Sequence, residues 1–234
     1  MASLTYEGRD LEAMSFARNY HTWIADLFAP YVRGRVIEVG AGSGNFSDFL
    51  LERGPEHLVA IEPSEEMYPK LAGRFKENPL VDTRKAFFSD IAADYAGKVD
   101  TMVYVNVLEH VEQDAEELKL VYATLRPGGT VCIFVPALPW LYSELDASIG
   151  HYRRYTKGQL RKLMEEAGFS IVRISYFDFF GILPWFVYFR LLRGRAGSGT
   201  TSAYDRFVVP IARILESIVP PPVGKNLFVI ARKK

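Results

Sequence analysis

A single cysteine, Cys132, in 234 residues excludes a disulfide framework, so the chain has to close on its own core and a reducing cytoplasm is the expected compartment. It sits inside Thr130-Val131-Cys132-Ile133-Phe134-Val135 and reads as a small buried hydrophobe, not as a nucleophile. An excess of either charge is also missing. Lys plus Arg and Asp plus Glu number 28 each, which leaves no broad basic field for DNA or RNA. No apolar h-region marks the N-terminus, where Tyr6 to Glu12 is polar and charged, so no export signal is expected. The aromatic run 179–189 is too short to span a bilayer as a helix and is broken by Pro184. No internal repeat is visible. What remains is a length suited to one α/β domain with an embellishment.

The chemistry begins at Val36-Ile37-Glu38-Val39-Gly40-Ala41-Gly42-Ser43-Gly44-Asn45-Phe46, an apolar strand that enters three alternate glycines and then opens a helix. Glycines permit positive φ and close approach of a ligand. A helix start adds unpaired N–H groups. The dinucleotide fingerprint is G-x-G-x-x-G, whereas this order is G-x-G-x-G, with Asn45 where that pattern wants Gly or Ala. Glu62 closes the next apolar run, Leu58-Val59-Ala60-Ile61, at the distance where an acid takes ribose hydroxyls. Strand, glycine turn, helix, strand and acid make a βαβ nucleoside site.

Strand candidates at 35–39, 58–62, 83–88, 99–105 and 130–135 alternate with helical stretches at 46–53, 65–76 and 114–125, which predicts a doubly wound parallel sheet. Leu118, Val121, Tyr122 and Leu125 share one face of the last helix. An amphipathic segment with Phe16, Ile24, Leu27 and Phe28 precedes strand one. After strand five come a loop at 136–155, a helix capped by Thr156 and ended by Gly168, and apolar 169–177; 226–232 is the last strand. Gly128-Gly129 reads as a tight turn feeding strand five.

With these motifs in order, the chain resembles the class I S-adenosylmethionine-dependent methyltransferases from about Arg35 to Lys234. Glu38 to Gly44 resembles the family's first motif, and Ile61-Glu62-Pro63-Ser64 its ribose-binding strand end. Ser89-Asp90-Ile91 is similar to its adenine-side acid, Asn106-Val107-Leu108-Glu109-His110 to its segment after strand four, and Leu125-Arg126-Pro127-Gly128-Gly129 to its turn before strand five. The loop and the long insertion resemble bacterial small-molecule enzymes of the type-11/type-12 groupings. The resemblance implies a Rossmann-like, doubly wound, seven-stranded, mostly parallel sheet whose last strand is antiparallel. A single domain is expected: an N-terminal helical lid (1–34), a cofactor-binding core (35–179), an insertion or cap (180–225) of this chain's own between strands six and seven, and the last strand (226–234).

It further implies S-adenosylmethionine as cofactor and S-adenosylhomocysteine as product. Gly40, Gly42, Gly44 and Glu38 would meet the methionine end, Glu62 beside Pro63 the ribose, Asp90 the adenine amino group, Ile91 and Met67 the ring faces, and Asn106 with Val107 the methionine end from strand four. Tyr20 on the lid is a further cofactor contact. In-line displacement needs positioning and exclusion of water and in principle no metal.

On the acceptor side, His151 or Tyr152 in His151-Tyr152-Arg153-Arg154-Tyr155 is expected as base or orienter, with His110 either facing the site or holding the fold. Arg153 and Arg154 either lie solvated outside or meet a substrate oxyanion. The aromatic insertion admits a pocket wall, a homodimer surface, or peripheral contact with lipid beside Arg190, Arg193 and Arg195. A small-molecule acceptor is expected, through oxygen, nitrogen or carbon, of sugar, lipid-linked or quinone-like type. Two other classes stay open, a nicotinamide oxidoreductase and a non-catalytic cofactor-binding module. The first should carry G-x-G-x-x-G, and the second has no need of Glu62 and Asp90.

Overall fold

Strands form where aliphatic and β-branched residues run on: β1 (Arg35–Val39), β2 (His57–Ile61), β3 (Val81–Arg84), β4 (Val99–Val105), β5 (Leu125–Pro136), β6 (Ser170–Phe177) and β7 (Asn226–Arg232). The computed structural model describes residues 17–191 and 202–234. Its seven-stranded sheet has the order β3-β2-β1-β4-β5-β7-β6. The first five strands pair in parallel, and β7 runs antiparallel between β5 and β6. Central strands are buried on both faces, which is why their sequences read as continuous apolar runs.

Helices cover both faces. On one side α1 (Arg18–Phe28), α2 (Asn45–Leu51) and α9 (Val209–Ile218) set Ile24, Phe28, Phe46, Leu50 and Ala212 against Phe134 and Phe228. On the other, α5 (Asp114–Thr124) and α7 (Lys157–Glu166) supply Leu118, Val121, Leu160 and Met164. Among the described residues the other α-helices are α3 (Tyr68–Phe75), α4 (Phe88–Ile91), α6 (Glu144–Ser148) and α8 (Ile182–Trp185). Thr156 caps α7 through a reciprocal capping box with Gln159, and Gly168 ends it at φ 97°, as their residue types require.

Two boundaries differ from expectation for physical reasons. The strand expected at 83–88 stops at Arg84, because Phe88 turns inward to bury its ring edge-on against Tyr104, 6.4 Å away. Strand β5 starts before Gly128-Gly129, since Gly128 N–H donates to Lys233 O and Lys233 N–H to Gly129 O, at 3.0 and 2.9 Å. The chain end thereby extends the sheet into what reads locally as a turn.

The hairpin between β6 and β7 is opened by the expected insertion, built from α8, a π-helical turn Phe186–Leu191, a second Tyr204–Val208, and α9. Helix α1 has no capping side chain of its own. Asp205 of the insertion supplies one from far along the chain, accepting from Asn19 N–H at 3.1 Å and Tyr20 N–H at 2.8 Å. The lid and the insertion are therefore one structural unit. The expected lid residues before Ala17, including Phe16, and Arg193, Arg195 and most of the linker 194–202 lie outside the described residues.

Candidate functional site

Strand order reverses around β1, whose neighbours are β2 and β4, and open α/β sheets bind ligands at the carboxyl ends of such strands. There the chain leaves β1 through Gly40, Gly42 and Gly44 at φ 70°, 58° and 85°. Alternate left-handed positions explain the alternate-glycine spacing. The turn is held to β2 by Gly40 and Ala41 N–H groups donating to Ile61 O at 2.8 and 3.0 Å. A Cβ on Gly40 would come 2.4 Å from Val107 Cγ2, and one on Gly44 2.6 Å from Phe75 Cε2. Val107 thus clamps the turn from the β4 side, while the third glycine serves the close packing of α2 on α3.

Glu62 accepts from Gly42 N–H and from Ser64 N–H, one bond on each oxygen and both 2.8 Å long. Burial pushes its pKa up, and these two bonds act in the opposite direction. Glu38 is also buried and accepts from Ser47 Oγ–H. Burial pushes its pKa up to about 8; the Ser47 bond opposes this, and Asp48 and Glu62 add to the rise. Asn106 ends β4 at φ 54°, in the left-handed region that side chains usually avoid, with its N–H on Phe134 O at 2.9 Å.

A cavity of about 520 Å³ lies over this turn. Glu38, Gly40, Ala41 and Ser43 line one end, Tyr20 and His21 come from α1, and Asn106, His110 and His151 stand at the β4 side. The insertion closes it with Pro184, Trp185, Tyr188 and Phe189. Tyr20 donates to Asn226 Oδ1 at 3.0 Å, with its ring packed edge-on against Phe134 and Phe177. Gly42, Gly44, Glu62, Pro63, Met67, Asp90, Ile91 and Val107 are not among the cavity residues; Glu62 and Pro63 follow β2, and Asp90 and Ile91 lie on α4 after β3. Met67 is buried, its N–H turned to Ser64 Oγ at 3.3 Å; Asp90 is exposed on α4.

Histidines 110 and 151 come together edge-on, their ring centroids 4.6 Å apart. Asp146 organises this end. It accepts from His151 Nδ1 at 2.9 Å and from Arg154 Nε at 2.8 Å. Burial alone would raise the Asp146 pKa, but His151 and Arg154 hold it below its ordinary value. Burial, with His151 adjacent, lowers His110 to about 4.

Neither arginine is simply solvated. Arg154 is buried over the Trp185 ring at 4.6 Å, and Arg153 pairs with Asp114 at 2.8 Å. Tyr152 is 54% exposed and outside the cavity lining, because its N–H is tied to Glu109 O at 2.9 Å and its ring lies beside Arg153. Sequence reasoning missed Asp146 and Asp205. The Ser143-x-x-Asp146 capping pattern was a readable signal for Asp146. Asp205 carried none.

A family model described as a methyltransferase domain matches residues 12–174, more than half of the chain. A probable S-adenosylmethionine-dependent methyltransferase of Mycolicibacterium smegmatis is 25% identical over 154 residues, 64% of this chain and 58% of that protein. A ubiquinone biosynthesis O-methyltransferase of Aromatoleum aromaticum is 31% identical over 110 residues, 47% of this chain and 46% of that protein. The chain spans about half the length of these curated relatives. Among solved structures, a Burkholderia thailandensis 1,6-didemethyltoxoflavin-N1-methyltransferase with bound 1,6-didemethyltoxoflavin and S-adenosylhomocysteine shares the fold. Its TM-score is 0.62 at 22% identity, over 98% of this chain and 84% of that one. With the alternate-glycine turn and the β3-β2-β1-β4-β5-β7-β6 sheet, the chain belongs to the class I S-adenosylmethionine-dependent methyltransferases.

Proposed function

We propose that the protein transfers the methyl group of S-adenosylmethionine to a small, partly apolar acceptor held between the glycine turn and the insertion. The observation that carries this reading is one cavity running from Glu38 and Gly40 to an aromatic wall of Trp185, Tyr188 and Phe189. A concave, mostly apolar space with a few polar groups suits a small molecule better than a polymer. On the donor side, Glu62 holds the ribose hydroxyls and Asp90 the adenine amino group. Met67 and Ile91 flank the base, and Glu38, the turn and Asn106 take the methionine end.

Transfer forms a bond from the acceptor to the methyl carbon and breaks the sulfur–methyl bond, turning the sulfonium into a neutral thioether. The acceptor's proton must leave. His151 stands at this end with Nδ1 on the Asp146 carboxylate, which orients its ring, and it is the side chain assigned to receive that proton. The ubiquinone-pathway relative acts, by its name, in making a lipophilic aromatic product, and an acceptor of that character suits the Trp185 wall.

Calorimetric titration tests the donor half: S-adenosylhomocysteine binds and NAD does not. Binding of NAD alone, or of neither, overturns the assignment. Incubating the protein with methyl-labelled cofactor and fractionated extract, then identifying the labelled product by mass spectrometry, tests the acceptor half.

A lipid-surface contact is a second reading, favoured by the exposed face of Phe207, Ile211, Ile214, Leu215 and Ile218, each 47–72% accessible. Among the described residues no helix is long and apolar enough to cross a membrane. The double variant Ile214→Asp, Ile218→Asp should lose flotation with anionic vesicles while its unfolding free energy stays within about 0.5 kcal/mol per substitution, since both side chains are exposed. Absence of flotation by the unaltered protein rejects this reading.

A further inference from the structure

Simple in-line displacement leaves one cluster unexplained. Glu109 is fully buried, and neither of its carboxylate oxygens has a hydrogen-bond partner among the described residues. A buried carboxylate left in that state is costly unless it takes a proton or a cation completes it. His151 Nε2 stands 3.7 Å from Glu109 Oε1. One donor atom each from Glu109, His110 and His151 lies within 4.8 Å of the other two.

Local structure brings these donors together. Glu109 and His110 are adjacent in the single 3-10 turn Leu108–His110 that follows β4. His151 arrives on the loop after α6, fixed by Asp146 on Nδ1, while the next N–H, of Tyr152, donates to Glu109 O at 2.9 Å.

We infer that Glu109, His110 and His151 bind one divalent transition-metal ion at the acceptor end of the cavity. Two imidazoles and one carboxylate form a donor set that leaves coordination positions open for water or substrate, and imidazole favours zinc, iron or cobalt over magnesium. Bonds of about 2.1 Å to one ion place donors roughly 3–4 Å apart. The 3.7 Å pair already meets that spacing, and the other two pairs lie within 4.8 Å. Asp146 supplies the outer carboxylate that a metal-binding histidine commonly carries on its other nitrogen.

The nearby cation does not block the site. Arg154 is turned to Asp146, 2.8 Å away, and to Ala137 O, so the arginine and Asp146 offset one another. An incoming ion meets the Glu109 carboxyl and the rings of His110 and His151.

This inference rests on the methyl-transfer reading and names its acceptor class, a hydroxylated molecule. Coordination of the hydroxyl to the ion lowers its pKa. The proton leaves to cavity water, the oxygen forms its bond to the methyl carbon, and the sulfur–methyl bond breaks. No oxidant or reductant enters.

The test uses the full chain, stripped by chelator and then titrated calorimetrically with Zn²⁺ or Mn²⁺ alone, and separately with S-adenosylhomocysteine. One ion per chain is expected, with affinity at least tenfold weaker in Glu109→Gln and in His151→Ala and with S-adenosylhomocysteine affinity changed less than twofold. Thermal melting checks the folding of both variants. Broadening of the Mn²⁺ electron paramagnetic resonance spectrum by the unaltered protein reads the same site without any substitution. No ion uptake by the unaltered protein, or equal uptake by Glu109→Gln, overturns the site and leaves an internal His151–Glu109 ion pair. Loss of S-adenosylhomocysteine binding by the unaltered protein rejects the methyltransferase reading instead, so the two failures are distinguishable.

Discussion

Replacing Glu62 with alanine lowers the affinity for S-adenosylhomocysteine at least about 100-fold if Glu62 receives the ribose hydroxyls as proposed, because two charge-assisted bonds, each worth about 1.5–3 kcal/mol, would disappear together. The carboxylate has a second task. Its oxygens also hold Gly42 N–H and Ser64 N–H, so the alanine variant loses the brace between the glycine turn and the end of β2. Glu62→Gln separates the two tasks. The amide keeps one acceptor oxygen for the turn but presents a donor to the other side, and an intermediate loss of affinity is expected. Calorimetry reads the affinities, and thermal melting reports whether the turn still folds. Affinity within tenfold of the unaltered protein in the alanine variant would show that Glu62 is only a turn brace.

The glycine turn and its brace to the end of β2 were legible because their determinants are local. Each of Gly40, Gly42 and Gly44 has positive φ, so the G-x-G-x-G spacing is a direct image of the backbone. Glu62 follows its strand by one residue, and two of its bonds reach only to Gly42 and Ser64. The acceptor half depends on contacts between distant segments. Nothing near Tyr20 in the sequence announces that Asp205 caps its helix, and nothing near Glu109 announces that His151 will stand over it.

The insertion shows the same division. Its limits and its aromatic run could be read directly, but its anchor could not. Asp178, fully buried at φ 63°, gathers Gly181 N–H, Tyr204 Oη–H and Lys225 Nζ from both ends of the insertion. Three separated polar residues look like surface positions in sequence. Their value appears only once the chain returns to β7, where they fix the cap over the cavity and, through Asp205, the lid helix as well.

Affinity for the cofactor product rises about tenfold per pH unit up to about pH 8 and then levels off, if Glu38 receives the ammonium of the methionine end. Burial holds the free Glu38 carboxyl at about 8, so at pH 7 it is mostly protonated and has no charge to offer. Ligand binding brings a cation beside it and expels the proton, which titrations in Tris and phosphate buffers detect as a buffer-dependent heat. Glu38→Gln flattens the profile and costs about 30-fold in affinity at pH 8, the equivalent of about 2 kcal/mol for one charged hydrogen bond. Stability without ligand moves the other way. A carboxyl whose folded pKa is raised destabilises the fold progressively as pH climbs from its ordinary 4.5 to about 8, and the glutamine variant escapes that decline. Melting temperature against pH, with and without S-adenosylhomocysteine, therefore separates the two roles. A variant that loses affinity while gaining alkaline stability marks Glu38 as a buried charge kept for the ligand, whereas a flat profile in the unaltered protein would leave it as a structural partner of Ser47.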